Sequence, residues 1–113
     1  MNKQLPDQGF FTLTEASNQD IIITFSKPVF CRCRYDDNIW VYEYDSDFDG
    51  NCFSNTYRSG YGENRQEAYE DLMNDFCYDY LDLVINSDKD ALSPDAIKYA
   101  EELKAAIERV EVK

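Results

Sequence analysis

Residues 60–85, GYGENRQEAYEDLMNDFCYDYLDLVI, predict a turn followed by one long amphipathic helix. Asn64 suits the N-cap, and Glu67, three residues later, completes a capping-box pattern. Apolar side chains then recur at spacings of three and four, which is typical of a buried helical stripe. The stripe consists of Ala68, Tyr69, Leu72, Met73, Phe76, Cys77, Tyr80, Leu83 and Val84. The pattern predicts a helix from about Arg65 to Ile85.

Short runs rich in β-branched and aromatic residues come before this helix and predict strands. They span residues 10–14, 21–25, 29–35, 39–44 and 52–57. Asp36, Asp37 and Asn38 form a strong turn signal, so the strands on either side of them should pair antiparallel.

A second helix is predicted near the end of the chain, with Ser93 as its N-cap and Pro94 in its first turn. Its apolar face comprises Ile97, Ala100, Leu103, Ile107 and Val110. We therefore expect a single α+β domain over residues 1–113. In it an antiparallel four- or five-stranded β-meander packs on the long α-helix, with a C-terminal helix beside it.

The charge of the chain is strongly negative. Its 113 residues carry 23 acidic and 11 basic side chains with no histidine, for a formal charge of -12. Such a surface repels phosphates, which argues against direct nucleic-acid binding and favours a basic partner. An aromatic content of 15% indicates a folded chain rather than an acidic disordered tail. Without an apolar run of signal-peptide or bilayer-spanning length, we expect a cytoplasmic protein with no membrane partner.

Residues 45–50, DSDFDG, place carboxylates at positions 1, 3 and 5 and glycine at position 6 of an EF-hand loop. Position 12 would be Thr56 in place of the bidentate glutamate, and the flanking segments look like strands. A solvated acidic turn is therefore the favoured interpretation, and calcium binding stays an open alternative.

Cys31, Cys33, Cys52 and Cys77 lack the paired spacing of zinc modules. We expect buried free thiols, with zinc as the open alternative. The chain has no histidine to serve as a base for a nucleophile and no glycine-rich phosphate loop after a strand. The sequence thus favours a non-enzymatic protein without a cofactor.

Acidic residues follow one line along the long helix. Glu67, Asp71, Asp75 and Asp79 lie four residues apart, and Glu70 and Asp82 lie beside them. Like charges at this spacing destabilise an isolated helix by about 0.2 to 0.5 kcal/mol per pair. Four residues rise by about 6 Å, which is near the spacing of phosphates along a nucleic-acid strand. The row is therefore a candidate mimic of a phosphate backbone, and the solvated face of an amphipathic helix is the alternative.

Further acids and tyrosines would extend such a surface. Tyrosine supplies rigid apolar area together with a hydroxyl, and interface centres favour it. We expect exposed tyrosines at Tyr42, Tyr44, Tyr57, Tyr61 and Tyr78. The complete candidate partner-binding set is Glu67, Glu70, Asp71, Asp75, Tyr78, Asp79, Asp82, Asp45, Asp47, Asp49, Tyr42 and Tyr44.

Residues 29–84, with IWVYEY leading to GYGENRQEAYEDLMNDF, resemble the HicB-like antitoxin domain. Gly62, Glu67 and Ala68 match its glycine-to-alanine signature, and Asn64-Arg65 replace its usual polar start. The resemblance implies strands packed on helices in a fold related to double-stranded-RNA-binding domains, and an antitoxin that blocks a small RNase. The DNA-binding C-terminal module of that family has no counterpart after Asn86.

In size and charge the chain also resembles phage anti-CRISPR and DNA-mimic proteins. The leading hypothesis is a non-catalytic acidic inhibitor that binds a basic nucleic-acid-binding protein or nuclease, as in phage or mobile-element counter-defence. The alternatives are a HicB-like antitoxin that neutralises a small RNase toxin and a small metal-binding protein. A homodimer stays open.

Overall fold

A computed structural model describes residues 9–48, 52–86 and 88–113. Within them an antiparallel sheet of five strands packs on two helices. The elements are β1 (Gly9–Ser17), β2 (Ile21–Asp36), β3 (Ile39–Asp45), β4 (Tyr57–Gly62), α1 (Arg65–Asp79), α2 (Pro94–Ala106) and β5 (Ile107–Val112). A π-helical turn, Tyr80–Ile85, continues α1, and a short 3-10 turn, Lys89–Ala91, precedes α2. The α+β class and the long helix are confirmed.

The long strand β2 organises the sheet. It pairs with β1 on one side, and on the other side its second half pairs with β3 and its first half with β5. The predicted strands 21–25 and 29–35 are thus two parts of one strand. Pro28 lies between the paired sections of each ladder, where its missing N–H removes no ladder hydrogen bond.

The turn between β2 and β3 follows the sequence prediction. Asp37 and Asn38 have φ angles of 52° and 68°. Positive φ at both central residues is the requirement of a type I′ turn, which aspartate and asparagine tolerate well. The predicted antiparallel pairing of the two strands is therefore confirmed.

The predicted strand at residues 52–57 is wrong, since the fourth strand begins only at Tyr57. Phe53 instead enters the core, where its N–H donates to the Tyr44 hydroxyl at 3.0 Å and its carbonyl accepts from that hydroxyl at 2.8 Å.

The strand that follows needs glycine at position 60. A Cβ on Gly60 would lie 2.2 Å from the Ala68 carbonyl oxygen of α1, so no larger residue fits.

Ile107 and Val110 do not continue the second helix, as the sequence pattern had predicted. The helix ends at Ala106, and IERVEV forms β5 against the first half of β2. Apolar and charged residues alternate from Arg109 to Val112, after a bulge at Glu108, and isoleucine and valine suit a pleated surface. The five strands of the sheet therefore include one contributed from beyond the helices.

Both helix starts agree with the sequence. Asn64 Oδ1 accepts from Glu67 N at 2.9 Å, and Ser93 Oγ accepts from Ala96 N at 3.2 Å. The core lies between α1 and the sheet, where α1 contributes Ala68, Leu72, Met73, Phe76 and Cys77. Across the described ranges, no helix has the length and apolar character needed to cross a bilayer.

Candidate functional site

The row of acids on α1 divides into two groups, and Asp79 belongs to the group that faces the protein. Its side chain is only 17% exposed. Asp79 Oδ2 accepts a hydrogen bond from Arg58 Nε at 2.6 Å and another from the Tyr99 hydroxyl at 2.6 Å. The Arg58 guanidinium also lies 4.8 Å from the centre of the Tyr99 ring. Asp79 therefore links α1 to both β4 and α2.

Asp71 and Asp75 follow the same edge of β4. Asp71 Oδ2 accepts from the backbone N–H of Tyr61 at 3.0 Å, which satisfies a donor on this edge strand. Asp75 lies half-buried between its two acidic neighbours. Burial and the carboxylates of Asp71 and Asp79 raise the pKa of Asp75, and Arg58 opposes this effect. This part of the row is thus involved in holding β4 against α1.

Glu67 and Glu70 make local contacts at the start of α1. Glu67 Oε2 accepts from the backbone N–H of Glu63 at 3.0 Å, while its own N–H donates to Asn64. Glu70 Oε1 accepts from Gln66 Nε2 at 2.6 Å on the exposed surface. Glu67 therefore helps to cap the helix, and Glu70 presents its carboxylate to solvent.

A second line of side chains, which we call the outer stripe, points away from the protein. Its members are Glu70, Asn74, Tyr78 and Asp82, all of them exposed. Tyr78 is 58% exposed, and Glu67 and Asp71 are exposed beside the stripe. A groove of about 550 Å³ runs alongside, between α1 and the turn that joins β1 to β2. The groove is lined mostly by polar residues and includes Lys113.

The expectation that Tyr42 and Tyr44 are exposed is wrong. Both side chains are 0% exposed, because these positions of β3 face α1. The Tyr42 ring packs edge-on against Tyr69 of the helix, with 5.8 Å between ring centres, and the Tyr44 hydroxyl binds Phe53 as described above. The other three of the five candidate tyrosines are exposed: Tyr57 and Tyr61 on the opposite face of the sheet, and Tyr78 on α1.

One of the carboxylates in the turn after β3 forms a hydrogen bond within the turn itself. Asp45 Oδ1 accepts from the backbone N–H of Asp47 at 2.9 Å, which is an Asx-turn contact. Asp47 is exposed, whereas Asp49 and Gly50 lie outside the described residues. Between residues 9 and 113, apart from 49–51 and 87, the structure places no group of three or more His, Cys, Asp or Glu side chains suitably for a metal ion.

The cysteines occupy separate places in the fold. Cys31 and Cys33 are buried on the α1 side of β2, Cys77 is buried on α1, and Cys52 is half-buried after the loop that follows β3. None of these four cysteines takes part in a disulfide. Burial, and then the charge of Cys52, raises the pKa of the Cys31 thiol, while burial raises that of Cys77 to about 11.

Sequence reasoning missed a charged cluster on the open face of the sheet, centred on Glu43. This carboxylate is 2% exposed. It accepts hydrogen bonds from Arg32 Nε at 2.8 Å, Arg34 Nε at 2.9 Å and the Tyr57 hydroxyl at 2.6 Å. Burial alone would raise the pKa of Glu43, but the bonds from Tyr57, Arg34 and Arg32 outweigh it and lower the pKa. The register of the β2–β3 hairpin places Arg32 opposite Glu43, and this register could have predicted the cluster from the sequence.

The Glu43 cluster and the Asp79 contacts pair several acids with arginines, and so determine which part of the surface keeps an excess of negative charge. Arg32 and Arg34 bind Glu43, and Arg34 also binds Asp36. Arg58 binds Asp79. Three cations are therefore engaged by acids on the open sheet face or at the edge of β4, while Glu70 on α1 and Asp82 on the π-helical turn after it are exposed. The outer stripe and its acidic neighbours are the candidate site.

Comparison with known proteins identifies no relative. No family model matches the chain, and neither the curated proteins nor the solved structures contain a match.

Proposed function

We propose that the protein is a non-catalytic inhibitor whose outer stripe occupies a basic nucleic-acid-binding site on another protein. Glu70 and Tyr78 on α1 and Asp82 on the π-helical turn that continues it are all exposed, and this exposure supports the proposal most directly. With Glu67 and Asp71 beside them, every charged side chain of this set is acidic, on a chain of formal charge -12, and Lys113 lies in the groove alongside. A surface of this kind attracts basic partners over distances of about a Debye length.

The rigidity of α1 supports the proposal further. Leu72 and Phe76, on the inner face of α1, are completely buried, so the side chains on its outer face project from a fixed backbone. A preorganised surface loses less conformational entropy on binding than a mobile one. Glu70 and Asp82 are separated by about 18 Å along the helix axis, which corresponds to about three phosphate spacings of a single strand.

Tyr78 gives the surface an apolar contact between its acids. Tyrosine is common at the centres of interfaces because it combines apolar area with a hydroxyl and has few rotatable bonds. The proposed site is narrower than the row in the sequence, because Asp75 and Asp79 face β4 and Arg58. It comprises the outer stripe with Glu67 and Asp71 as its neighbours.

Two partner classes meet the same chemical requirement. One is a nucleic-acid enzyme blocked at its substrate site, as in phage or mobile-element counter-defence, and the other is a small basic RNase toxin. The resemblance to HicB-like antitoxins bears on the second class alone. Competition experiments distinguish the two classes. Duplex DNA should displace the inhibitor from a DNA enzyme, whereas RNA should displace it from a small RNase.

The test compares two double variants with the same change in formal charge. Glu70→Lys with Asp82→Lys alters the proposed surface, and Glu15→Lys with Glu101→Lys alters exposed positions elsewhere. The full chain is immobilised, partners are captured at low salt, and those released by duplex DNA or RNA are identified and purified. Their affinity for each variant is then measured by titration calorimetry.

We expect the outer-stripe variant to bind at least about tenfold more weakly, because rim and surface charges control steering and salt dependence. The matched control should bind as the unaltered chain does, and Tyr78→Ala should weaken binding at every salt concentration. Equal weakening by both double variants would mean that only net charge matters. Unchanged binding by the outer-stripe variant would overturn the proposal.

A further inference from the structure

The strand β5 leaves one of its edges unpaired among the described residues. It pairs with the first half of β2, and no other described strand lies along its second edge. Glu108, Arg109, Glu111 and Val112 are exposed. An open edge presents backbone donors and acceptors to solvent, and these can pair with another strand.

The hydrogen bonding of β5 shows which peptide groups face outward. Lys113 N donates to the Asp20 carbonyl at 2.9 Å, which places the hydrogen-bonded pairs of this ladder at alternate residues. In an antiparallel ladder, Glu111 and Arg109 then direct their peptide groups toward β2. Val110 and Val112 direct theirs toward the open edge.

We propose that a second copy of this chain pairs with β5, antiparallel, about a two-fold axis at Val110. In this register Val110 lies opposite its counterpart, and the two residues exchange a pair of backbone hydrogen bonds. Arg109 lies opposite Glu111 of the second copy, and Glu111 opposite Arg109 of the second copy. These are non-hydrogen-bonded positions, where opposing side chains approach most closely.

The charge pattern selects this register over its neighbours. An axis at Arg109 would place two arginines opposite each other, and an axis at Glu111 would oppose two glutamates. An axis at Glu108 would again oppose two glutamates, and this residue is also the site of a bulge in the ladder with β2. Opposed like charges destabilise a strand pair, whereas opposite charges stabilise it. The segment is therefore complementary to itself about Val110.

The partner groups are available in the monomer. Arg109 Nε and Glu111 Oε1 form an ion pair at 2.9 Å within one strand, with side chains 65% and 51% exposed. Such a pair contributes little to stability, so exchanging the two pairs within strands, one in each copy, for two pairs between copies costs little. Val112 is 84% exposed on its own and gains contact in the paired state. A ladder this short predicts a weak, concentration-dependent dimer.

The arrangement would extend the sheet from one copy into the next. Val110 and Val112 lie opposite Ile23 and Ile21, whose side chains are buried in the core. The helices of both copies would therefore lie on the same side of a continuous sheet. This inference is independent of the proposed inhibitory function, because β5 carries no residue of the outer stripe.

Sedimentation equilibrium of the full chain, from about 10 μM to about 1 mM, tests the dimer in the range expected for a weak interface. The mass of the unaltered chain should rise from 13.2 kDa toward twice that value. Arg109→Glu and Glu111→Arg should each weaken dimerisation by about tenfold or more, because each opposes like charges twice. Glu101→Arg on α2 is the control and should dimerise normally.

The decisive measurement is an equimolar mixture of Arg109→Glu and Glu111→Arg. In a mixed dimer both introduced side chains lie opposite a side chain of the other sign, so the mixture should dimerise when neither variant does alone. Circular dichroism verifies that each variant is folded. The proposal fails if the unaltered chain stays at 13.2 kDa at the highest concentration, or if the mixture associates no better than its components. A dimer that both single variants retain would also exclude β5 as its interface.

Discussion

Arg58 and Asp79 join β4 to α1 through a contact of 2.6 Å between Arg58 Nε and Asp79 Oδ2. The two side chains are 29% and 17% exposed, so this ion pair is largely shielded from solvent. In the sequence Asp79 is one of several acids at helical spacing, and nothing distinguishes it from Asp82. In the fold, however, Asp79 stabilises an edge strand and Asp82 faces solvent.

Replacing Asp79 with alanine should lower the free energy of unfolding by about 1 to 3 kcal/mol, because partly buried donors lose their acceptor. Arg58 Nε and the Tyr99 hydroxyl would both lose the acceptor that they share. Urea denaturation followed by tryptophan fluorescence measures the change. Asp82→Ala is the matched control and should stay within about 0.5 kcal/mol of the unaltered chain. Equal losses in the two variants would contradict the assignment.

Replacing Tyr44 with phenylalanine should also destabilise the fold. The Tyr44 hydroxyl both accepts from Phe53 N and donates to the Phe53 carbonyl, and all of these groups are buried. Leaving them unpaired should cost about 1 to 3 kcal/mol in the free energy of unfolding. Tyr78→Phe, at an exposed position, should have no comparable effect. A Tyr44→Phe variant of unchanged stability would mean that the loop adjusts to satisfy Phe53.

The stability conferred by Glu43 should depend on pH in one direction. Its pKa is lowered in the folded state from an ordinary value of 4.5. The carboxylate therefore contributes its full stabilisation above about pH 4.5, and this is lost as the pH falls through the folded-state pKa. Glu43→Gln lacks this titration. The difference in unfolding free energy between the unaltered chain and Glu43→Gln should be constant near neutral pH and shrink in acid.

Urea denaturation at pH values between about 7 and 3, the range in which carboxylates titrate, measures that difference. Glu101→Gln, at an exposed position on α2, is the control and should alter stability little at any pH. A difference between the unaltered chain and Glu43→Gln that grows as the pH falls would reverse the sign expected here.

The four thiols should react at two different rates. Cys52 is half-buried, whereas Cys31, Cys33 and Cys77 are buried. Burial raises the pKa of Cys31, Cys52 and Cys77 alike, so access of the reagent to the sulfur distinguishes Cys52 from the buried thiols. Ellman's reagent at pH 8 should label Cys52 first, and the other three only as the protein opens or unfolds.

The variant Cys52→Ser should lose the fast phase of labelling and keep the slow one. Adding about 4 M urea, enough to unfold many small domains, should make all remaining thiols react together. Fast labelling of Cys77 in the folded chain would show that the packing between α1 and the sheet opens readily.

Local chemistry explains why some parts of the fold were predictable. The helix starts at Asn64 and Ser93 depend on a side-chain oxygen and a neighbouring N–H, and the turn at Asp37 and Asn38 depends on tolerance of positive φ. Each is decided by residues adjacent in the chain. The caps, the hairpin and the extent of the long helix could therefore be predicted from sequence.

The remaining features depend on residues distant in the chain. Ile107 and Val110 fit a helical spacing as well as a strand, and pairing with β2 decides between them. The acids at positions 71 and 79 hydrogen-bond to β4 because that strand lies beside α1, which no spacing within the helix indicates. The side chains of Tyr42 and Tyr44 point to the same face of β3, as strand alternation predicts. Only the position of α1, however, shows that this is the buried face of the sheet.

Because β2 pairs with β5, the order in which the chain is synthesised constrains how it folds. Ile23 is made long before Val110, its partner across the ladder. Contacts between residues so far apart close large loops and slow folding, whereas the β2–β3 hairpin can form early. During translation the first half of β2 therefore stays unpaired on one side until β5 has been synthesised. In that interval the nascent chain is most exposed to aggregation or to a chaperone.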